Sequence, residues 1–278
     1  MRPMAPGLGS YYHAIAEQMA IYRESNRRLA EAAELRPGMR VVDLACGSGL
    51  TSLAALDAVP AGLDLTLIDS SQSMIDEARR NLEARGVSAT YHVADAAAIC
   101  QLVTEKVDRV LCNLSLWYFA KPEDVLRELR KVIKPAGRLC FSLLGSYFNV
   151  GGEVVSPYWA LVKVLAERGV LPRALPDVDR LPNQRSIEGT LAGAGFKPLS
   201  FALDEIDAPD EELANWLRLY PIANGATRAE AVEKSLALLE TARDEIAQWK
   251  PHWRTVRFQA QPQINPEEIL MAKFAGKK

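Results

Sequence analysis

The chain has 278 residues, 49% of them hydrophobic, enough for one large core or a core with a lid, and too apolar for a disordered tail. Its 33 basic and 35 acidic residues nearly balance and form no long runs of one sign, so the electrostatic footprint of a nucleic-acid binder is missing. No segment approaches the ~18 continuous apolar residues of a membrane span, and Cys46, Cys100, Cys112 and Cys140 form no CxxC pair, so a cytoplasmic protein without membrane, metal or nucleic-acid partners is expected.

In chain order, residues 1–35 read as an N-terminal helical segment carrying Tyr11, Tyr12, His13 and Tyr22. Residues 36–145 alternate short β-branched runs with stretches of helical period, the pattern of βαβ units around a parallel sheet. Strands are expected at Met39–Ala45, Asp64–Asp69, Thr90–Ala94, Val107–Asn113 and Arg138–Leu144, with helices at Ser71–Arg85 and Pro122–Ile133 and a turn at Pro135-Ala136-Gly137. Residues 146–185 read as a cap insertion with a helix at Ser156–Arg168 and a Pro-rich connection from Leu171. The α/β layering resumes in 186–278 with a helix at Ser186–Ala194 and a strand at Phe196–Ile206. A helical insertion at 208–262 comes next, containing Asp210–Tyr220 and Arg228–Trp249, and the chain closes on a strand at Glu268–Phe274. One α/β domain accounts for the whole chain.

The sharpest local feature is VVDLACGSGLTSLAAL, a buried strand running into a turn of small residues and then a helix. Gly47 and Gly49 let the backbone turn tightly and let a ligand approach the amides at the helix start. Asp69 ends the second strand about twenty residues further on, where a carboxylate can accept from both hydroxyls of a ribose. A nicotinamide dinucleotide is disfavoured, because the third glycine of GxGxxG is missing and Asp43 would repel a pyrophosphate. The same carboxylate favours a ligand carrying an ammonium and a sulfonium.

Asp43-Leu44-Ala45-Cys46-Gly47-Ser48-Gly49 resembles the first motif of the class I methyltransferases, departing only at Ala45, where glycine is commoner. Three further motifs resemble the family in order: Leu67-Ile68-Asp69-Ser70-Ser71-Gln72-Ser73-Met74, Val93-Ala94-Asp95-Ala96 and Val107-Asp108-Arg109-Val110-Leu111-Cys112-Asn113. The resemblance implies a Rossmann-like, mostly parallel sheet of seven strands in the order 3-2-1-4-5-7-6, and S-adenosylmethionine as cofactor with S-adenosylhomocysteine as product. It implies Asp43, Ala45, Gly47, Gly49, Asp69, Ser70, Met74, Asp95, Ala96 and Asn113 as cofactor residues, with Met74 packing on the adenine and Asp95 accepting from its amine. Each also has a structural reading: Asp43 and Asp95 could cap helices, Met74 could be core and Asn113 a turn residue.

Methyl transfer from a sulfonium needs alignment and exclusion of water more than a dedicated base, and none is assigned. His92 falls inside the third strand, whereas His13 and His252 could reach a site under a lid. Tyr11, Tyr12, Tyr22, Trp117, Tyr118, Tyr147 and Trp159 are expected to wall a small-molecule acceptor pocket, or else to serve as core and lid packing. The expected function is methyl transfer to a small metabolite. The alternative is cyclisation of S-adenosylmethionine itself, as azetidine-carboxylate synthases do, with release of methylthioadenosine.

Overall fold

A computed structural model describes residues 8–116, 119–145, 148–149, 165–168, 181–223, 227–248 and 252–263. Helices α1 (Leu8–Ala16) and α2 (Ala20–Ala32) precede the sheet. The sheet then builds as β1 (Arg40–Leu44), α3 (Leu50–Ala58), β2 (Asp64–Asp69), α4 (Gln72–Ala84), β3 (Thr90–Val93), the short α5 (Ile99–Leu102) and β4 (Val107–Cys112). It continues with α6 (Pro122–Val132), β5 (Ile133–Leu144), α7 (Gln184–Gly193) and β6 (Phe196–Asp207). Three further helices, α8 (Glu212–Ala223), α9 (Arg228–Thr241) and α10 (Arg243–Gln248), lead into β7 (His252–Pro262).

The seven strands pair in the order β3-β2-β1-β4-β5-β7-β6, with β7 antiparallel to both β5 and β6. This is the expected order, but the last strand lies elsewhere. The reading of 208–262 as a wholly helical insertion is corrected, because its final eleven residues form β7. From Val256 onward they alternate buried Val256, Phe258 and Ala260 with the polar Arg257, Gln259 and Gln261, the period of a strand. The polar positions have cross-strand partners: Arg257 pairs with Asp204 and Arg254 with Glu205. Charges that suggest a solvated segment are thus absorbed within the sheet. The expected strand Glu268–Phe274 and most of the expected helix Ser156–Arg168 lie outside the described residues.

Other elements fall close to expectation. The single helix Arg228–Trp249 divides at Ala242 into α9 and α10. The Pro135–Gly137 turn is a bulge inside β5, where the register against β4 shifts after Val107 pairs with Ile133. Pro122 stands in the first turn of α6, with Glu123 and Asp124 beside it and Arg130 and Lys131 in the last turn, complementing the helix dipole.

Strand residues alternate between two buried layers. Val41, Leu65, Leu67, Leu111 and Cys140 face Leu29 of α2 and Ala78 and Leu82 of α4. Val42, Leu44, Ile68, Val110 and Phe141 face Leu126 and Leu129 of α6 and Leu191 of α7. A third cluster joins the N-terminal helices to the late ones: Leu8, Ile15 and Ile21 meet Leu114, Leu144, Leu213, Leu217 and Trp253. Its burial docks α1 and α2 against α8 and the ends of the strands. Among the described residues no helix is long and apolar enough to cross a membrane.

Candidate active site

Strand β1 sits where the order reverses, between β2 and β4, and at such a switch point the crevice beyond the strand ends admits a ligand. The turn after β1 is built for close approach. Ala45, Gly47 and Gly49 all have positive φ, at 54°, 54° and 84°. Ala45 therefore holds a left-handed conformation that a Cβ disfavours by about 1–2 kcal/mol, which is the physical reason glycine suits that position. A Cβ on Gly47 would meet nothing within 4 Å, so open space lies beside the turn there.

Two carboxylates flank this turn. Asp43 is 1% exposed; its Oδ2 accepts from Ser52 Oγ at 2.7 Å, while its buried Oδ1 has no hydrogen-bond partner among the described residues. Burial raises the Asp43 carboxyl from 3.8 to about 7, against the lowering effect of Ser52. Asp69, at the end of β2, accepts from Gly47 N and Ser71 N, each at 2.9 Å, and so ties the turn to the start of α4. Burial raises the Asp69 carboxyl too, opposed by amides of Ser71, Gly47 and Ser70. Ser71 caps α4 by accepting from Met74 N, which puts the buried Met74 in the first turn of that helix. Asp95, exposed after β3, accepts from Ala97 N at 2.8 Å and caps a 3-10 turn that begins at the buried Ala96.

Asn113, just past β4, lies in a polar network that sequence reasoning did not contain. Its Nδ2 donates to Ser25 Oγ at 3.0 Å and Asn26 Oδ1 at 2.7 Å, and its Oδ1 accepts from Ser142 Oγ. Asn26 Oδ1 also accepts from Thr51 Oγ1 at 2.7 Å, so α2, α3, β4 and β5 meet in one set of bonds. Glu212, fully buried at the start of α8, accepts from Ala20 N and Ile21 N at 2.9 Å each. It caps α2, whose own N-cap, Met19, has no side-chain oxygen to offer. A partner 192 positions away leaves no local signal in a sequence.

The N-terminal tyrosines converge. Tyr12 and Tyr22 meet edge to face with ring centroids 6.0 Å apart, and Tyr11 joins the same apolar cluster. Burial, then Tyr22 and Asp69, hold the Tyr12 hydroxyl well above its ordinary value, and burial raises that of Tyr22. Trp117, Tyr118, Tyr147 and Trp159 lie outside the described residues. Of the histidines, His92 is in β3, and His252 opens β7 with Nδ1 2.9 Å from Asp207 Oδ1. His13 reaches the glycine turn, with Nδ1 3.1 Å from Ser48 Oγ.

A family model described as a methyltransferase domain matches residues 41–137, from β1 into the bulge of β5. The ubiquinone/menaquinone biosynthesis C-methyltransferase UbiE of Azotobacter vinelandii is 27% identical over 191 residues, covering 65% of this chain and 75% of the relative. A demethylmenaquinone methyltransferase of Thermus thermophilus is 29% identical over 179 residues, covering 61% and 80%. The crystal structure of an S-adenosylmethionine-dependent methyltransferase from Thiobacillus denitrificans, in complex with S-adenosylhomocysteine, superposes with a TM-score of 0.62 at 21% identity, covering 94% of this chain and 100% of that one. Residues 41–137 thus match a methyltransferase domain, and the seven-stranded order is the Rossmann-like fold that the chain shares with these S-adenosylmethionine-dependent methyltransferases.

Proposed function

We propose that this protein transfers the methyl group of S-adenosylmethionine to a small-molecule acceptor, releasing S-adenosylhomocysteine. The observation that carries the reading is the unpartnered, buried Oδ1 of Asp43 at the foot of a left-handed turn with open space at Gly47. A buried acceptor without a donor is costly, and a ligand ammonium removes that cost, whereas a phosphate adds repulsion. The remaining residues fit the same ligand. Each Asp69 oxygen accepts one amide, and a carboxylate has about four lone-pair sites, so two remain for ribose hydroxyls. Met74 and Ala96 offer apolar surface to an adenine ring, with Asp95 and Ser70 at its polar edge. Asn113 has its side-chain amide engaged by α2 and β5 at the end of β4.

When bound, the cofactor supplies a methyl group already activated by a sulfonium. The chain's tasks are then to hold donor and acceptor in line and to keep water out. The apolar cluster of α1, α2, α8 and β7 closes the strand ends, with Tyr11, Tyr12 and Tyr22 at its border. The raised Tyr12 and Tyr22 hydroxyls stay protonated at neutral pH and are not bases; Tyr12 donates to Tyr22, which leaves the Tyr22 proton for an acceptor oxygen. A small acceptor is supported by relatives named for ubiquinone and menaquinone biosynthesis, among which both C- and O-methyltransferases occur.

Mass spectrometry of the purified protein with S-adenosylmethionine, first alone and then with a metabolite extract, tests this. S-adenosylhomocysteine is expected only with extract, together with a metabolite heavier by one methyl group. Methylthioadenosine formed without an acceptor would overturn methyl transfer in favour of cyclisation.

A further inference from the structure

We infer that His13 is a positioning residue that latches α1 across the glycine turn and so sets how fast the cofactor leaves. The inference rests on the cofactor reading above and concerns a residue outside its motifs.

One face of α1 presents Gly9, Tyr12, His13 and Ala16, spaced three, four and seven residues apart as a helix requires. At Gly9 the helix meets the first turn of α4, where Gly9 N donates to Ser73 Oγ at 2.7 Å. A Cβ on Gly9 would fall 2.1 Å from Ser73 O, so only glycine permits the approach. One turn later His13 Nδ1 stands 3.1 Å from Ser48 Oγ and 3.3 Å from Asn81 Nδ2. Asn81 Nδ2 also donates to Ser48 O at 2.9 Å, which fixes the amide's orientation. His13 Nδ1 therefore accepts, and Nε2 faces Glu17 at 3.4 Å.

Through these contacts α1 touches the glycine turn at Ser48 and the Met74 turn at Ser73, the segments assigned to opposite parts of the cofactor. Nine residues are too few for a helix to persist alone in water, so attachment decides whether α1 is in place. Leu8 and Ile15 hold it to the apolar cluster, and His13 is its bond to the turn. His13 acts through Ser48 and Asn81, which classes it as positioning rather than catalytic.

The test uses the full chain with S-adenosylhomocysteine as probe and stopped-flow displacement as readout. His13→Ala is expected to speed dissociation about tenfold, the effect of losing one net hydrogen-bonded attachment. His13→Asn, whose Oδ1 can accept where Nδ1 did without the ring, is expected to restore most of the loss. In the protein without ligand, His13→Ala should also speed amide hydrogen exchange across residues 8–16. Should His13→Ala fold poorly, Ser48→Ala removes the other partner and is expected to shift dissociation in the same direction. Unchanged dissociation in both alanine variants, or His13→Asn as fast as His13→Ala, overturns the latch alone. Failure of the unaltered chain to bind the probe overturns the cofactor reading and the latch together.

Discussion

On the proposed cofactor reading, the buried carboxyl of Asp43 should make stability and cofactor affinity depend on pH in opposite directions. Each tenfold change in proton affinity is worth about 1.4 kcal/mol, so raising this group from 3.8 to about 7 costs the native state about 4 kcal/mol once it ionises. The native carboxyl keeps its proton across that window while the unfolded chain releases one, so stability falls as pH rises from about 4 to about 7 and is level above. Asp43→Asn removes the charge but leaves a buried amide N–H unpaired at about 1–3 kcal/mol. The variant should therefore be more stable than the parent by about 1–3 kcal/mol at pH 8 and less stable by a similar amount near pH 4. Ligand binding runs the other way. An ammonium prefers the ionised carboxylate, so S-adenosylhomocysteine should bind about tenfold more weakly at pH 6 than at pH 8, with a proton released on binding below pH 7. Titration calorimetry in two buffers of different ionisation enthalpy counts that proton, and thermal melts from pH 4 to 8 follow the stability. Parallel stability curves for parent and variant, together with pH-independent affinity and no proton release, would refute the argument.

The turn and the lid give three more expectations. Gly47→Val meets no atom within 4 Å but places a Cβ at a left-handed φ of 54°, so it should fold with a loss of stability of at least about 1–2 kcal/mol and abolish S-adenosylhomocysteine binding; calorimetry showing parental affinity in the folded variant would remove Gly47 from the site. Ala45→Gly should raise stability in urea by about 1 kcal/mol, by relieving the left-handed Cβ, and keep binding; a loss of stability would show that the methyl packs. Glu212→Ala orphans two amides of α2 and should cost about 2–4 kcal/mol, with faster amide exchange at Ala20 and Ile21 than elsewhere in the helix; uniform exchange would contradict the capping role.

The legible part of this protein is the part whose chemistry is local in sequence. A parallel strand buried on both faces reads as an apolar run, and the chain beyond its end must turn, so Asp43 to Gly49, Asp69 and Asp95 fall at strand ends from spacing alone. Even there one reading is incomplete: the alanine at position 45 reads as a small departure, and only φ shows that it occupies a left-handed site. The seventh strand escapes a sequence reading because Arg254, Arg257 and the glutamines mask a period-two pattern, and the partners Glu205 and Asp204 belong to another strand. Ser25, Asn26, Thr51 and Ser142 are ordinary in their own segments; only tertiary packing gathers them round Asn113.

Helix α2 is where the lid and the core become one structure. Glu212 fixes its first amides, Ser25 and Asn26 bind it to Asn113 and Thr51 at its middle, and at its far end Arg109 Nε donates to Ala33 O at 2.6 Å. The attachments come from α8, from the end of β4 together with α3, and from the interior of β4. A helix held at three levels moves only if several buried polar bonds break together, and each bond that breaks leaves donors unsatisfied. Tyr22 rides on this helix and meets Tyr12 on α1, so the proposed acceptor side would take its geometry from the core through α2. On that proposal, changes in the late helices would alter the acceptor side while the glycine turn stays in register, provided the Glu212 cap is kept. The reverse does not hold: losing Asn26 unties Thr51 and Asn113 at once, which disturbs α3 behind the glycine turn and the tyrosine pair in front of it.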